Sequence, residues 1–418
     1  MKVSILGLGY IGLPTAALIA SKGINVLGID INEDIVNKVN KGVLHFSEPD
    51  LDKLLRNVVD SGFLRASTST EKSDIFVITV PTPITKDKKS DISFVVSAVE
   101  SIAPVLEEGN LVILESTSPV GLTEECVDIL REKRPDLKFP EYTASKDIEN
   151  IYVAYSPERV LPGKILEELI QNDRVIGGIS EKSTEKAKSF YEIFVKGKCL
   201  LTNSRTAELC KLTENSFRDV NIAFANELSL VADHHNIDVW ELIELANHHP
   251  RVDILSPGPG VGGHCIAVDP WFITESAPDQ ARLIRQARII NDDKPAFVIK
   301  KLEEAVKSLD IDKSFISVAS LGISFKSNID DLRESPAIEI AQEINAMEFM
   351  NHFIVEPNIE ELPDTLISFN SSLVNLEHGI LNADILLILV AHNEFHNIDR
   401  SILIDKYVID TVGLFKNS

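Results

Sequence analysis

The chain has 418 residues, enough for two or three domains, and 44% of them are apolar, enough for proper cores. Its formal net charge of −23 argues against nucleic acid and anionic membranes as partners. There is no signal peptide ahead of Val3 and no apolar run long enough to span a bilayer, and Cys126, Cys199, Cys210 and Cys265 show no metal-ligand spacing. We therefore expect a reduced, cytoplasmic, metal-free protein.

Val3 to Leu6 reads as a strand running into Gly7-Leu8-Gly9-Tyr10-Ile11-Gly12. A helix pattern follows from Leu13 to Ser21, and a second strand, Asn25 to Ile29, ends at Asp30. This context turns a weak G-x-G-x-x-G match into a strong one. Gly7 permits the tight turn, Gly9 lets the backbone reach a pyrophosphate, and Gly12 lets the helix pack on the strand. Asp30 is placed to accept the adenosine ribose hydroxyls and to repel a 2′-phosphate, which favours NAD over NADP.

Ile75 to Val80, Leu111 to Thr117 and Tyr152 to Tyr155 are further apolar strands alternating with helices. That pattern predicts a doubly wound parallel sheet with ligands beyond its carboxyl ends, where Thr82 and Thr117 sit. Glu158 beside Arg159 in the next loop is either a functional pair or a solvated surface pair. From Ser204 to His235 no Gly or Pro interrupts a long helix pattern, and Lys211, Asn215 and Arg218 share one face of it. A helix of this length exceeds what one small domain covers, which suggests a dimer interface. Trp240 to Ala246 reads as another helix, closed by His248-His249-Pro250-Arg251.

Residues Gly258 to Trp271 hold two Pro and four Gly, so they form a loop that a ligand can approach closely. Cys265 at its centre is a candidate covalent nucleophile, with Asp269 four residues on. The alternative is a buried structural cysteine. Pro278 to Asn291 and Pro295 to Ser308 read as two consecutive helices. A second strand–helix pattern then starts at Phe315 to Gly322. A loop from Ile323 to Glu334 follows, then a helix opening at Ser335-Pro336. Strands near Phe353 to Val355, Ile385 to Val390 and Tyr407 to Ile409 complete it. The expected fold is α/β, two Rossmann-like doubly wound parallel-sheet domains (1–200 and 309–418) joined by a central long-helix region (201–308).

The segments GLGYIGLP, VPTP, ESTSPVG, SPERVLPG, AELCKLTEN, GVGGHCIAVDP and GISFKSNIDDLRESP occur in this order and span essentially the whole chain. Together they resemble the nucleotide-sugar 6-dehydrogenases, the UDP-glucose/GDP-mannose dehydrogenase family. The resemblance implies oxidation of a sugar C6 alcohol to a carboxylate with two NAD per sugar. It casts Cys265 as the nucleophile that holds the intermediate aldehyde. Lys211 would be proton donor and acceptor or oxyanion partner, and Asn215 would share the oxyanion. Asp269 would tune Lys211 and the attacking water, with Glu158 and Thr117 positioning that water. The resemblance assigns Gly7, Gly9, Tyr10, Ile11, Gly12, Asp30, Thr82, Thr117 and Arg333 to NAD. It assigns Arg159, Val160, Lys211, Asn215, Arg218, His249, Gly262, Phe325 and Lys326 to the nucleotide sugar, with Arg251 reaching across a homodimer.

The UDP-glucose branch carries GGYCLPKD around its cysteine, whereas this chain has Gly262-Gly263-His264-Cys265-Ile266-Ala267-Val268-Asp269. This variant is similar to the branch of the family that acts on UDP-N-acetyl-D-mannosamine, so the resemblance implies that substrate, with UDP-N-acetylglucosamine or UDP-glucose as alternatives. From other classes, a single-oxidation Rossmann dehydrogenase and a non-catalytic NAD-binding protein remain as rivals.

Overall fold

The computed structural model describes residues 1–141, 149–161, 163–263 and 265–415. The chain forms two compact units, Met1–Glu214 with Trp271–Pro278 and Asn215–Pro270 with Asp279–Ser418.

The first unit is built on eight strands. They are β1 (Lys2–Leu6), β2 (Asn25–Ile29), β3 (Leu64–Ser67), β4 (Ile75–Ile78), β5 (Leu111–Leu114), β6 (Tyr152–Tyr155), β7 (Arg174–Gly178) and β8 (Cys199–Asn203), in the order β3-β2-β1-β4-β5-β6-β7-β8. β4 and β5, reading IFVI and LVIL, are buried throughout, as strands covered on both faces must be. Val3 and Ile5 enter one core layer with Leu13 and Ile19, while Leu6, Phe76 and Ile78 enter the other with Val95 and Val99.

All neighbours pair in parallel except β6 and β7. The sheet is thus mixed at one junction. A parallel return needs a crossover that carries the chain back along the sheet, usually a helix of matching length. Among the described residues the one helix between β6 and β7 is the short Ile165–Gln171, and the chain turns back instead.

Seven helices bear on the site: α1 (Gly12–Ala20), α2 (Glu181–Tyr191), α3 (Ser204–His234), α4 (Val239–Asn247), α5 (Asp269–Ser276), α6 (Arg282–Leu309) and α7 (Pro336–Ala346). The long helix forms as its sequence predicts. The two helices expected on either side of Pro295 are instead one, α6, with Pro295 inside it. An interior proline removes a helix hydrogen bond and costs about 3 kcal/mol, so packing must hold the turn. Here Arg288, Asn291 and Lys294 are buried just before the proline and bond to α3. Arg288 Nη1 donates to Asp219 Oδ1 at 2.6 Å, Asn291 Nδ2 to the same oxygen at 2.8 Å, and Lys294 Nζ to Ser229 Oγ at 2.6 Å.

The second unit's sheet is parallel throughout: β9 (Ser317–Leu321), β10 (Asn351–Val355), β11 (Ser371–Leu373), β12 (Ile385–Ile388) and β13 (Tyr407–Asp410), in the order β11-β10-β9-β12-β13. The molecule is therefore the expected α/β protein with two Rossmann-like sheets and a long central helix. Ser335 stands at the expected N-cap of α7, with Pro336 at the first helical position, but its buried hydroxyl makes no capping bond among the described residues. No helix is long and apolar enough to cross a membrane among the described residues.

Candidate active site

In the first unit the β1–α1 turn has the shape a pyrophosphate requires. Gly7 has φ +94°, a region L side chains avoid. A Cβ on Gly12 would lie 1.8 Å from the Gly7 carbonyl oxygen, so only glycine lets α1 start this close to the turn. A Cβ on Gly9 would meet no protein atom within 4 Å, so this glycine leaves open space. The α1 N-terminus has no side-chain cap and no acidic residue in its first turn, so its amides and dipole suit an anion. Asp30 accepts the Leu8 and Asn32 amides, both at 2.9 Å, which fixes its carboxylate at the end of β2. A carboxylate has about four lone-pair sites, so these two bonds do not exhaust it. Tyr10 stacks on Phe46 with ring centroids 4.4 Å apart. These residues fit NAD, and the backbone amides after Gly9 with Asp30 are what would hold it.

The carboxyl ends of β5 and β6 hold a buried charge cluster. Glu158 is not a solvated partner of its neighbour's side chain. Its carboxylate pairs with the Arg174 guanidinium and accepts the Arg159 amide at 2.6 Å. The Arg159 side chain turns away, pairing with Glu214 at 2.7 Å and with the Asp173 carbonyl. Arg174 also donates to Glu115 Oε1 at 3.1 Å and lies over the Tyr191 ring, and the Tyr191 hydroxyl donates to Glu115 Oε1 at 2.6 Å. Burial, with the like charge of Glu158 added, pushes the Glu115 carboxyl up to about 7 against the pull of Arg174. Its other oxygen, Oε2, is buried with no hydrogen-bond partner among the described residues. Thr117 and Thr82 are half-buried, on the segments that follow β5 and β4.

In the second unit the Cys265 carbonyl accepts the amides of Val268 (3.1 Å) and Asp269 (2.9 Å), so the cysteine opens the turn that leads into α5. Cys265 is exposed, which argues against the buried structural reading. Asp269 is buried, and Asn215 Nδ2 on α3 donates to its Oδ2 at 2.5 Å. Arg218, on the same helix, is exposed; Lys211, on the part of α3 that belongs to the first unit, is half-buried. The glycines ahead of the cysteine pack against the loop that follows β9. A Cβ on Gly262 would lie 2.4 Å from the Glu334 carbonyl oxygen, and one on Gly263 (φ +86°) would lie 3.0 Å from the Phe325 ring. The start of the glycine loop is tied to α3, because Gly258 N–H donates to Asn226 Oδ1 at 2.9 Å. His264, where the loop departs from the UDP-glucose branch, lies outside the described residues.

Lys326 is exposed, and Arg333 forks onto Asp331 at 2.8 and 2.7 Å. His249 and Arg251 are exposed on the turn after α4. Asn247 brackets that turn, donating to the Ile254 carbonyl at 3.0 Å and accepting its amide at 2.8 Å. Sequence reasoning missed Asn247, Glu115 and Arg174. Arg174 opens a strand whose antiparallel pairing has no local signal. Glu115 alone was within reach, as a charged residue in an otherwise apolar strand run.

Family models match nearly all of the chain. Residues 1–195 match the NAD binding domain of the UDP-glucose/GDP-mannose dehydrogenase family, residues 205–293 its central domain and residues 319–417 its UDP binding domain. The chain belongs to that family, an oxidoreductase family with an NAD-binding domain. It is 52% identical over 418 residues to UDP-N-acetyl-D-mannosamine dehydrogenase of Escherichia coli K12, covering 99% of both chains. It is also 52% identical over 413 residues to NDP-N-acetyl-D-galactosaminuronic acid dehydrogenase of Ralstonia nicotianae, covering 99% of this chain and 96% of that one. Among solved structures, UDP-D-ManNAc dehydrogenase of Pyrococcus horikoshii superposes with a TM-score of 0.88 at 39% identity, covering 100% of this chain and 97% of that chain.

Proposed function

We propose that the protein oxidises UDP-N-acetyl-D-mannosamine at C6 to the uronate, with Cys265 as covalent nucleophile and NAD as the hydride acceptor in both oxidations. The observation that carries this reading is Asp269, buried one turn after an exposed Cys265 and hydrogen-bonded to Asn215. An alcohol oxidised twice passes through an aldehyde, and a thiolate adds to that carbon to give a thiohemiacetal. Loss of a second hydride leaves a thioester, which water cleaves to the carboxylate and the free thiolate. The sum is one alcohol, one water and two NAD+ giving one carboxylate, two NADH and three protons.

Lys211 moves the proton of the C6 hydroxyl and, with Asn215, stabilises the oxyanion of each tetrahedral species. Asp269 fixes the Asn215 amide and tunes Lys211. Glu158, set by Arg174, positions the hydrolytic water with Thr117. Arg159, Val160, Arg218, His249, Gly262, Phe325 and Lys326 bind the nucleotide sugar, whose diphosphate needs local cations on a chain of net charge −23. Tyr10, Ile11, Thr82 and Arg333 complete the NAD contacts.

The working protein is a cytoplasmic homodimer to which the partner copy contributes Arg251. Phe217, Phe224 and Val231, spaced by seven on α3, are exposed apolar side chains that a second copy would cover. We divide the chain functionally at 1–200, 201–308 and 309–418, for NAD binding, dimerisation with catalysis, and UDP-sugar binding. The Ralstonia relative favours a second reading, an N-acetylgalactosamine nucleotide as substrate.

A panel of UDP-hexoses and UDP-N-acetylhexosamines, with NADH counted per uronate, tests the proposal. UDP-N-acetyl-D-mannosamine giving two NADH is the expected result, and one NADH per sugar removes the mechanism. Cys265→Ser should abolish uronate formation, and undiminished turnover in that variant would exclude the covalent step.

A further inference from the structure

Behind the Ile323–Arg333 loop lies a buried pair that none of the roles above uses. His392 and Glu356 have fully buried side chains, on the segments that follow β12 and β10. His392 Nδ1 receives the Asn328 amide at 3.0 Å, with the Asn358 side-chain amide also at 3.1 Å. An amide N–H can only donate, so Nδ1 is an acceptor and the ring proton sits on Nε2. Nε2 donates to Glu356 Oε2 at 3.1 Å, and the Ser324 hydroxyl lies 3.3 Å away. The same carboxylate oxygen accepts the Ile323 amide at 2.8 Å and the Ser324 amide at 3.1 Å. Ser324 Oγ donates to the Lys326 carbonyl at 2.8 Å. Asn328, held in the left-handed region at φ +63°, accepts the Asn393 amide at 2.9 Å.

The pair therefore grips the loop on both sides of Phe325 and Lys326, through Ile323 and Ser324 before them and Asn328 after them. β9 and β12 are neighbours, and the chain leaves β9 for β10 on the other side. Ligands bind at such switch points in open α/β sheets. The gripped segment also bears on the nucleophile's loop, because Phe325 fills the space beside Gly262 and Gly263.

We infer that His392 is a positioning residue for the nucleotide sugar: as the singly protonated ring between the Asn328 amide and Glu356, it holds Phe325 and Lys326 in their binding geometry. This rests on the substrate-binding role proposed for those two residues. It acts through the loop and touches neither substrate nor cofactor.

The two ring nitrogens have different side-chain mimics, which separates positioning from packing. In His392→Asn the amide oxygen falls near Nδ1 and still accepts the Asn328 amide. In His392→Gln the amide falls near Nε2 and reaches Glu356 but leaves Asn328 without its acceptor. The Michaelis constant for the UDP-N-acetylhexosamine should rise about tenfold in His392→Gln, leave the NAD constant within about twofold, and return most of the way in His392→Asn. An unchanged sugar constant in His392→Gln, equal losses in both variants, or an NAD constant rising in step would overturn the assignment. Amide hydrogen exchange at Asn328, faster in His392→Gln than in His392→Asn, reads the same grip without substrate. Equal exchange in the two variants counts against it. If wild-type protein turned over no UDP-sugar, the function would fail while that exchange difference still reported on His392.

Discussion

Gly7 follows β1 with φ +94°, and Gly322 follows β9 with φ +87°. Each donates its amide at 2.8 Å to the last carbonyl of the neighbouring strand, Ile29 or Val355. The next residue in each case is an acid, Asp30 or Glu356, and each takes the first amide past its glycine, that of Leu8 or Ile323. Each also takes the amide of an asparagine two residues on, Asn32 or Asn358. The same crossover has been built twice: β3-β2-β1-β4-β5 of the first sheet repeats the order β11-β10-β9-β12-β13 of the second.

The two copies diverge after the glycine. From Gly7 the chain reaches the first residue of α1 at Gly12, whereas from Gly322 it travels to Pro336 before α7 begins. The α1 N-terminus carries no acid, while Glu339 occupies the first turn of α7. Asp30 is half-buried with acceptor capacity to spare, and Glu356 is covered by His392. One scaffold thus serves a dinucleotide through a short turn and a helix dipole. The other, plugged by its histidine, offers a long loop instead.

The sharpest way to break the comparison is to remove both acids. Glu356→Ala strands the Ile323, Ser324 and Asn358 amides and the His392 Nε2–H in a buried place. It should cost about 3–5 kcal/mol in denaturant unfolding. Asp30→Ala should cost about 1–2 kcal/mol, because water can replace the carboxylate, and should raise the Michaelis constant for NAD about tenfold. Equal stability losses would mean that Glu356 is not the structural member of the pair.

The glycines give a smaller and cleaner contrast. Gly12→Ala drives a methyl group into the Gly7 carbonyl and should cost at least the roughly 1–3 kcal/mol of overpacking, with NAD binding lost as the turn moves. Gly9→Ala meets nothing in the protein, so its melting temperature should hold while its NAD affinity falls at least about tenfold. Unchanged affinity in Gly9→Ala would show that the open space beside it is not where the cofactor lies.

What could be read in advance follows from how far each signal reaches along the chain. The strand–glycine–helix run at residues 3–21 is local, and every part of it has a residue-level cause. The second sheet was legible as a strand pattern, yet its likeness to the first at Glu356 and Asn358 was not, because that likeness lies in which amides the acid collects. Pro295 misled because local propensity ends a helix there, whereas the Arg288–Asp219 pairing across 69 residues holds it together. Asn215 and Asp269 could be picked out singly by motif. Their hydrogen bond spans 54 residues and needed coordinates. His392 carried no sequence signal, since its distant partners come from the loops after two other strands, β9 and β10.

The finest test sets two buried carboxyls against each other. Burial raises both. In Glu356 the His392 ring and the Ile323 amide outweigh it and hold the carboxyl below its ordinary value. In Glu115 the donors all converge on one oxygen, Glu158 adds like charge, and the carboxyl is pushed up to about 7. Their linkage to stability therefore runs in opposite senses. Below pH 4.5 Glu115 is protonated whether the chain is folded or not. Between 4.5 and about 7 the folded form keeps a proton that the unfolded chain has released, so its contribution to stability falls as pH rises through that window. Glu115→Gln cannot titrate. Its unfolding free energy relative to wild type should climb from pH 5 to pH 7, by at most about 1.4 kcal/mol per pH unit, and level off above. Glu356→Gln should show the reverse: its deficit is full at neutral pH and shrinks as pH drops below the ordinary carboxylate value, where wild type loses the charge that its donors stabilise. Parallel slopes in the two variants would mean that donor count does not separate these acids.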